Sequence, residues 1–194
     1  MKKTFLAAAM LAASAGAFAD AIPYPTPGVE NPVTYSFTAT ADGDLSAFFV
    51  GSNASYDETL GLLINGVDSG ITGLQNHTTP YGTQLDFGNV THGDVLTFYI
   101  NVATTGATYY SDKSLNADGN TNHVYSTAFS GDPGHIPAGT YVAFEDLDHG
   151  GDFNYQDEQF VFTNTSTAVP EPASVTLLLA GLGLMGAAAR RRRV

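Results

Sequence analysis

The chain contains no cysteine and no tryptophan. Without thiols, disulfides, zinc–thiolate centres and cysteine nucleophiles are excluded. Without tryptophan, the side chain that most often stacks on sugar rings is missing. Basic residues are scarce as well: of seven, Lys2 and Lys3 open the chain, Arg190, Arg191, Arg192 and Arg193 close it, and only Lys113 lies between. Of the nineteen acids only Glu171 falls in the tail. The segment from Asp20 to Thr167 therefore sets one lysine against eighteen carboxylates, a net charge of −17 that the formal −12 of the whole chain understates. Such a body repels phosphate backbones and anionic lipid surfaces, and it attracts cations; nucleic acid is not an expected partner. Catalytic signatures are also missing. There is no His-Glu-x-x-His, no Gly-x-Ser-x-Gly and no phosphate-binding loop, and the five histidines are scattered singly. The expectation is a protein that is not an enzyme. A glycosidase-type carboxylate pair is the remaining enzymatic alternative, because eighteen acids offer many pairs.

What is present at the ends is processing chemistry. Residues 1–19 have the form of a secretory signal peptide: Lys2 and Lys3, an apolar run from Phe5 to Ala13, and the small-x-small pattern Ala17-Phe18-Ala19. Signal peptidase is then expected to cut between Ala19 and Asp20. At the other end, Ala173 to Ala189 is uncharged and long enough for about 25 Å of helix, close to the ~30 Å of a hydrocarbon core. Arg190 to Arg193 follow at once and are expected to stay cytoplasmic, so the preceding domain faces outward. The order Val169-Pro170-Glu171-Pro172, apolar helix over 173–189, arginine cluster resembles the PEP-CTERM sorting signal of Gram-negative, exopolysaccharide-producing bacteria. The resemblance covers 169–194. It implies recognition by an exosortase, a transient inner-membrane anchor, removal of the tail, and delivery to the cell surface or extracellular matrix.

Between the signals, residues 20–32 form a Pro-rich leader, expected to be extended and loosely held. From 33 to 163 the chain alternates with period two: Val33, Tyr35, Phe37 and Ala39; Leu45, Ala47 and Phe49; Leu60, Leu62 and Ile64, closed by the hairpin signal Asn65-Gly66; Leu96, Phe98, Ile100 and Val102; Val142 and Phe144; Phe160 and Phe162. Short strands with turn residues between them predict an all-β fold, an antiparallel β-sandwich of jelly-roll type, in one domain. Tyr109 to Gly134 reads as a long irregular stretch, and 164–168 as a Ser/Thr linker.

The densest chemistry lies in FEDLDHGGDFNYQDEQFVF, Phe144 to Phe162. Glu145, Asp146, Asp148, Asp152, Asn154, Asp157 and Glu158 place seven oxygen donors within fourteen positions, around the Gly150-Gly151 turn. Carboxylates at that density repel one another unless a cation or protons neutralise them, and calcium suits many oxygens in flexible geometry. Asp152-x-Asn154 matches the opening of an EF-hand loop, but the later glycine and glutamate are absent. The alternative is a solvated loop whose Asx side chains cap turns. Asp112, Asp118, Asn120 and Asn122 form a second, sparser group with metal-like spacing.

The same stretch resembles an exported bacterial domain family of unknown function, through Phe144-Glu145-Asp146 and, with Gln156 interrupting the usual order, Asp152 to Asp157. The resemblance implies an exported β-rich domain and no established activity. The functional expectation is an exported structural or adhesive protein of the surface or exopolysaccharide matrix. The alternative is a calcium-assisted polysaccharide-binding module presenting Tyr81, Tyr109, Tyr110 and Tyr125.

Overall fold

A computed structural model describes Tyr24 and residues 26–168, with backbone alone for the last two. The signal peptide with Ala17, Ala19 and Asp20, and the tail with Val169 to Pro172, the expected membrane helix and Arg190 to Arg193, lie outside the described residues.

Eleven strands form two antiparallel sheets. The first holds β1 (Ser36–Ala39), β3 (Glu58–Ile64), β4 (Val67–Gly73), β6 (Val95–Val102), β7 (Ala107–Tyr110) and β11 (Thr165–Ala168), in the order β11-β1-β6-β3-β4. Strand β3 pairs along its whole length with β6, from Glu58↔Val102 to Ile64↔Leu96. The other edge of β6 is shared by β1 at Val95 and Leu96 and by β7 from Tyr99 to Val102. The second sheet holds β2 (Gly43–Gly51), β5 (Gln84–Val90), β8 (Val124–Phe129), β9 (Gly139–Phe144) and β10 (Glu158–Phe162), in the order β5-β2-β10-β9-β8.

The period-two residues meet between the sheets. Phe37, Leu60, Leu62, Leu96, Phe98 and Ile100 come from one, and Leu45, Ala47, Phe49, Val142, Phe144, Phe160 and Phe162 from the other; all are buried. Phe98 stacks on Phe162 across the interface with ring centroids 3.7 Å apart. Burying a large apolar side chain contributes about 1.5–3 kcal/mol, so this layer is the main source of stability. The Asn65-Gly66 hairpin forms as expected: both residues take positive φ, 52° and 80°, which a primed two-residue turn requires.

Three expectations are corrected. Residues 109–134 are not one irregular stretch, because they contain the end of β7, a 3-10 turn at Lys113–Leu115 and all of β8. Val-Tyr-Ser-Thr-Ala-Phe carries apolar groups on both faces, so its alternation is masked; its outward Tyr125 and Phe129 join a second apolar cluster with Tyr141, Ala143 and Val161. Residues 164–168 are not a linker. Thr165 to Ala168 pair with β1, Ala39↔Thr165 to Ser36↔Ala168, and the Thr165 hydroxyl donates to the Thr38 carbonyl. Polar β-branched residues suit an edge strand as well as a linker. The leader, where described, is not loose. Tyr24 packs on Tyr125 and bonds the Tyr141 hydroxyl. The Gly28 N–H donates to the Asp152 carbonyl at 2.7 Å, and that of Asn31 to the Tyr155 hydroxyl at 2.8 Å.

Candidate metal centre

Strands β3 and β10 begin at the same end of the sandwich and in the same register relative to the core. In β3, Glu58 continues the inward series Leu60, Leu62; in β10, Glu158 continues Phe160, Phe162. Two glutamates therefore point into the space between the sheets, one from each. Both are completely buried, and none of their four carboxylate oxygens meets an N–H or hydroxyl donor among the described residues; the Glu58 carboxyl instead lies against the Asp146 carboxyl, close enough to share a proton. Asn76 fixes the first: its side-chain oxygen accepts from the Glu58 N–H at 3.1 Å, while its amide donates to the Tyr56 carbonyl at 2.7 Å.

The acidic loop closes over this end. Strand β9 runs into Glu145 and Asp146, and Asp157 precedes β10; Glu145, Asp146 and Asp157 are 0%, 4% and 6% exposed. One carboxylate oxygen from each lies within 4.8 Å of the others, close enough for one ion. The Asp157 carboxylate accepts from the Asp146 N–H at 3.1 Å. That of Glu145 accepts from the N–H groups of Leu147 and Asn154. The turn between them is tightly wound. His149, Phe153 and Tyr155 hold positive φ despite their side chains, and a Cβ at Gly150 or Gly151 would meet Phe153 or Leu147 at 2.0 or 2.4 Å. Such backbone costs of order 1 kcal/mol per residue and persists where its surroundings hold it, here through the buried Tyr155, whose hydroxyl donates to the Asn122 carbonyl.

Five buried carboxylates thus act on one another by charge at this end of the sandwich. Burial, then Asp146 and Glu158, push the Glu58 carboxyl up to about 11. Burial, then Asp157 and Asp152, raise Glu145 to about 8. Burial, then Asp146, bring Asp157 to about 6 and hold Glu158 well above the usual carboxylate range. No lysine or arginine answers them: the ion pairs among the described residues run only from histidines to Asp57 and Asp118. The donor set is all oxygen, acidic and partly unpartnered, which fits a hard divalent cation of the calcium class.

The structure separates the seven expected ligands. Glu145, Asp146 and Asp157 converge, and Glu158 adjoins them from the core side. Asp152 is exposed at the rim, where it acts on Glu145 and Asp157 by charge. The Asn154 oxygen is occupied as a turn cap for the Gln156 N–H. Asp148 is exposed and falls with Asp118 and His149 in a separate group. Glu58 lies about ninety residues upstream and was not among the expected ligands; the inward alternation Glu58-x-Leu60-x-Leu62 is the sequence signal that marks it.

The second group of expected donors does not converge. Asp112 caps the 3-10 turn through Ser114, and Asn122 is buried and spends its side chain on Asn31, Val33 and Val124. Asn120 is exposed with φ 65°. Asp118 instead bonds His123, its Oδ2 2.7 Å from Nε2, and accepts the His149 N–H at 2.8 Å. The Nδ1 of His123 lies 2.8 Å from the Glu145 carbonyl. Both ring nitrogens thus face oxygen atoms, and the ring stacks on Tyr109 with centroids 3.9 Å apart. Burial opposes ionisation of Asp118, but the bond and charge of His123 outweigh it and hold the carboxyl below its ordinary value.

The tyrosines considered for sugar stacking do not share a face. Tyr109 is buried on His123, Tyr110 leans on Tyr99, and Tyr125 on Tyr24. Tyr81 is exposed, with its hydroxyl on Asp132.

The family model for the PEP-CTERM protein-sorting motif matches residues 168–193, so it begins on the last residue of β11. Comparison with curated proteins and with solved structures gives no match. The all-β body thus carries a PEP-CTERM sorting motif, and that motif implies export, a transient membrane anchor and sorting by an exosortase.

Proposed function

We propose that the delivered domain is a structural or adhesive component of the cell surface or exopolysaccharide matrix, not an enzyme, and that calcium held by Glu145, Asp146 and Asp157 completes its fold. The observation that supports the metal is the burial of these three carboxylates at one point with no basic side chain among them. An ionised carboxylate out of water is strongly unfavourable unless it is paired or bound to a metal. A calcium ion removes the mutual repulsion of these carboxylates. The role is stabilising: the site joins the end of β9 to the start of β10 and holds the strained turn between them.

Calorimetric titration of the full chain with calcium, after exhaustive chelation, tests the metal. Heat of binding with a rise in melting temperature is expected; neither signal would overturn it. Turnover of the host's own exopolysaccharide would overturn the non-enzymatic reading.

A second reading is a calcium-assisted polysaccharide-binding module. It is favoured by two clefts that flank Asp146 and Leu147 and share Tyr56, one lined also by Asn53, Asp152 and Asn154. Tyr56 is partly exposed and stands where a sugar ring could stack beside the ion. Selective binding on a glycan array in calcium, lost in chelator, would favour this reading over a purely structural one.

A further inference from the structure

The loop between β8 and β9 holds the chain's one Asp-Pro bond, Asp132-Pro133. Asp132 to His135 form a turn with proline at its second position, which the fixed φ of that residue suits. Such a turn ordinarily gives its first carbonyl one donor. Here the Asp132 carbonyl takes two, the N–H groups of His135 and Ile136, each at 3.0 Å, while the Asp132 N–H donates to the Ile136 carbonyl at 2.8 Å. Ile136 anchors the loop, buried with Tyr141, Ala143 and Val161. The Asp132 side chain is held as well. Its Oδ2 accepts from the Tyr81 hydroxyl at 2.8 Å, whereas its Oδ1 has no hydrogen bond among the described residues. Pro133 is exposed to water.

These are the parts of an acyl-transfer site collected on one peptide bond. A carboxylate is a competent nucleophile, and this one belongs to the residue whose carbonyl it would attack, so the reacting atoms are already joined. Two backbone N–H groups stand where negative charge develops on the carbonyl oxygen. The leaving nitrogen is that of a tertiary amide, which departs as a basic secondary amine. We propose that Asp132-Pro133 is a self-cleaving bond. Asp132 Oδ1 attacks the Asp132 carbonyl carbon and the bond from that carbon to the Pro133 nitrogen breaks. The nitrogen takes a proton from solvent and becomes a new N-terminus, and a cyclic anhydride is left on Asp132. Water opens the anhydride, restoring the side-chain carboxylate and leaving a second carboxylate at the new C-terminus. Tyr81 is a positioning residue, because it fixes one oxygen of the attacking carboxylate. The event occurs once per chain and needs no calcium, so it is independent of the function proposed above. The two pieces stay together, since β8 and β9 pair across the cut from Val124↔Phe144 to Phe129↔Gly139.

The full chain in detergent, incubated in buffers stepped from neutral to mildly acid, is read by native and by denaturing mass spectrometry. Native spectra are expected to keep a single assembly. Denaturing spectra should show two fragments, one ending at Asp132 and one beginning at Pro133, together one water heavier than the intact chain. Their yield should rise as pH falls, because the departing nitrogen needs a proton. Cleavage in the folded chain should be at least about tenfold faster than in the same chain unfolded by urea at the same pH, because unfolding removes both N–H donors from the carbonyl. Asp132→Glu keeps the charge but closes a larger ring, and it should be slower by a similar factor. A chain that stays intact, an equal rate in urea, or undiminished cleavage in Asp132→Glu would each overturn the proposal. The urea comparison uses the unaltered chain, so it decides the matter even where the variant does not fold.

Discussion

Two parts of this domain bury carboxylates and treat them in opposite ways. Asp118 has a basic partner of its own: His123 bonds it and is itself locked between that carboxylate and the Glu145 carbonyl. The group formed by Glu58, Glu145, Asp146, Asp157 and Glu158 has none. Burial acts on both, yet Asp118 is held below its ordinary pKa while Glu58, Glu145, Asp157 and Glu158 are driven upward. A buried acid is thus no sign of a metal until its neighbours have been counted; what distinguishes the second group is that no protein cation answers it.

The contrast can be broken most forcefully at Asp118. Asp118→Ala leaves the buried His123 Nε2 without its hydrogen-bond partner and should cost about 3 kcal/mol in chemical denaturation, equally with calcium and with chelator. A cost present only with calcium would mean that Asp118 belongs to the metal centre.

Next in size is the metal. At a hundredfold excess over Kd, calcium should add about 2.7 kcal/mol, a rise in Tm on the order of 10 °C for a domain of this size. Asp157→Asn should abolish most of that rise. In chelator the same variant should be no less stable than the unaltered chain, because it relieves repulsion there. Melting curves of both proteins in both conditions check the change of sign.

The third prediction concerns pH. In the metal-free domain the raised glutamate carboxyls hold protons that the unfolded chain releases near the ordinary value of 4.5. The folded state then binds more protons than the unfolded one, so stability is greatest at acid pH and falls as pH rises, through about 6 for Asp157 and about 8 for Glu145. The slope is about 1.4 kcal/mol per pH unit for each proton by which the states differ. Calcium competes with those protons, so its stabilisation should grow over the same interval. Melting in chelator and in calcium between about pH 5 and 8 reads both trends. A metal-free Tm that rises with pH would contradict the assignment.

The smallest effect is at Asp112, which caps a 3-10 turn and nothing more. Asp112→Ala should cost about 0.5 kcal/mol, the low end of the range for caps, with no calcium dependence. A larger, metal-linked loss would restore Asp112 to a binding role.

The sheets were legible wherever one face alone is apolar. Leu96 to Val102 and the Asn65-Gly66 hairpin carry period and turn chemistry together. Strand β4 was hidden because Val67-Asp-Ser-Gly-Ile-Thr-Gly is an edge with little to bury, and β8 because both of its faces are covered. At the metal centre, Glu145, Asp146, Asp157 and Glu158 were visible as a local concentration of acid. Asp148 and Asn154 shared that concentration but point elsewhere, since distance along a wound loop says little about direction. Glu58 comes from the opposite sheet, and no local window joins it to the rest. Its clue was a charged residue in phase with a buried leucine series.

The last strand has a consequence for processing. Strand β11 is an edge strand, and edge strands invite further pairing. Val169-Pro170-Glu171-Pro172 follows it without a spacer, and two of those four residues have no N–H to offer a ladder. The first of these prolines stands two residues after Ala168, and neither proline nitrogen carries a hydrogen for a ladder. The boundary between the body and the sorting signal is therefore marked in the sequence by proline, directly after the last described strand.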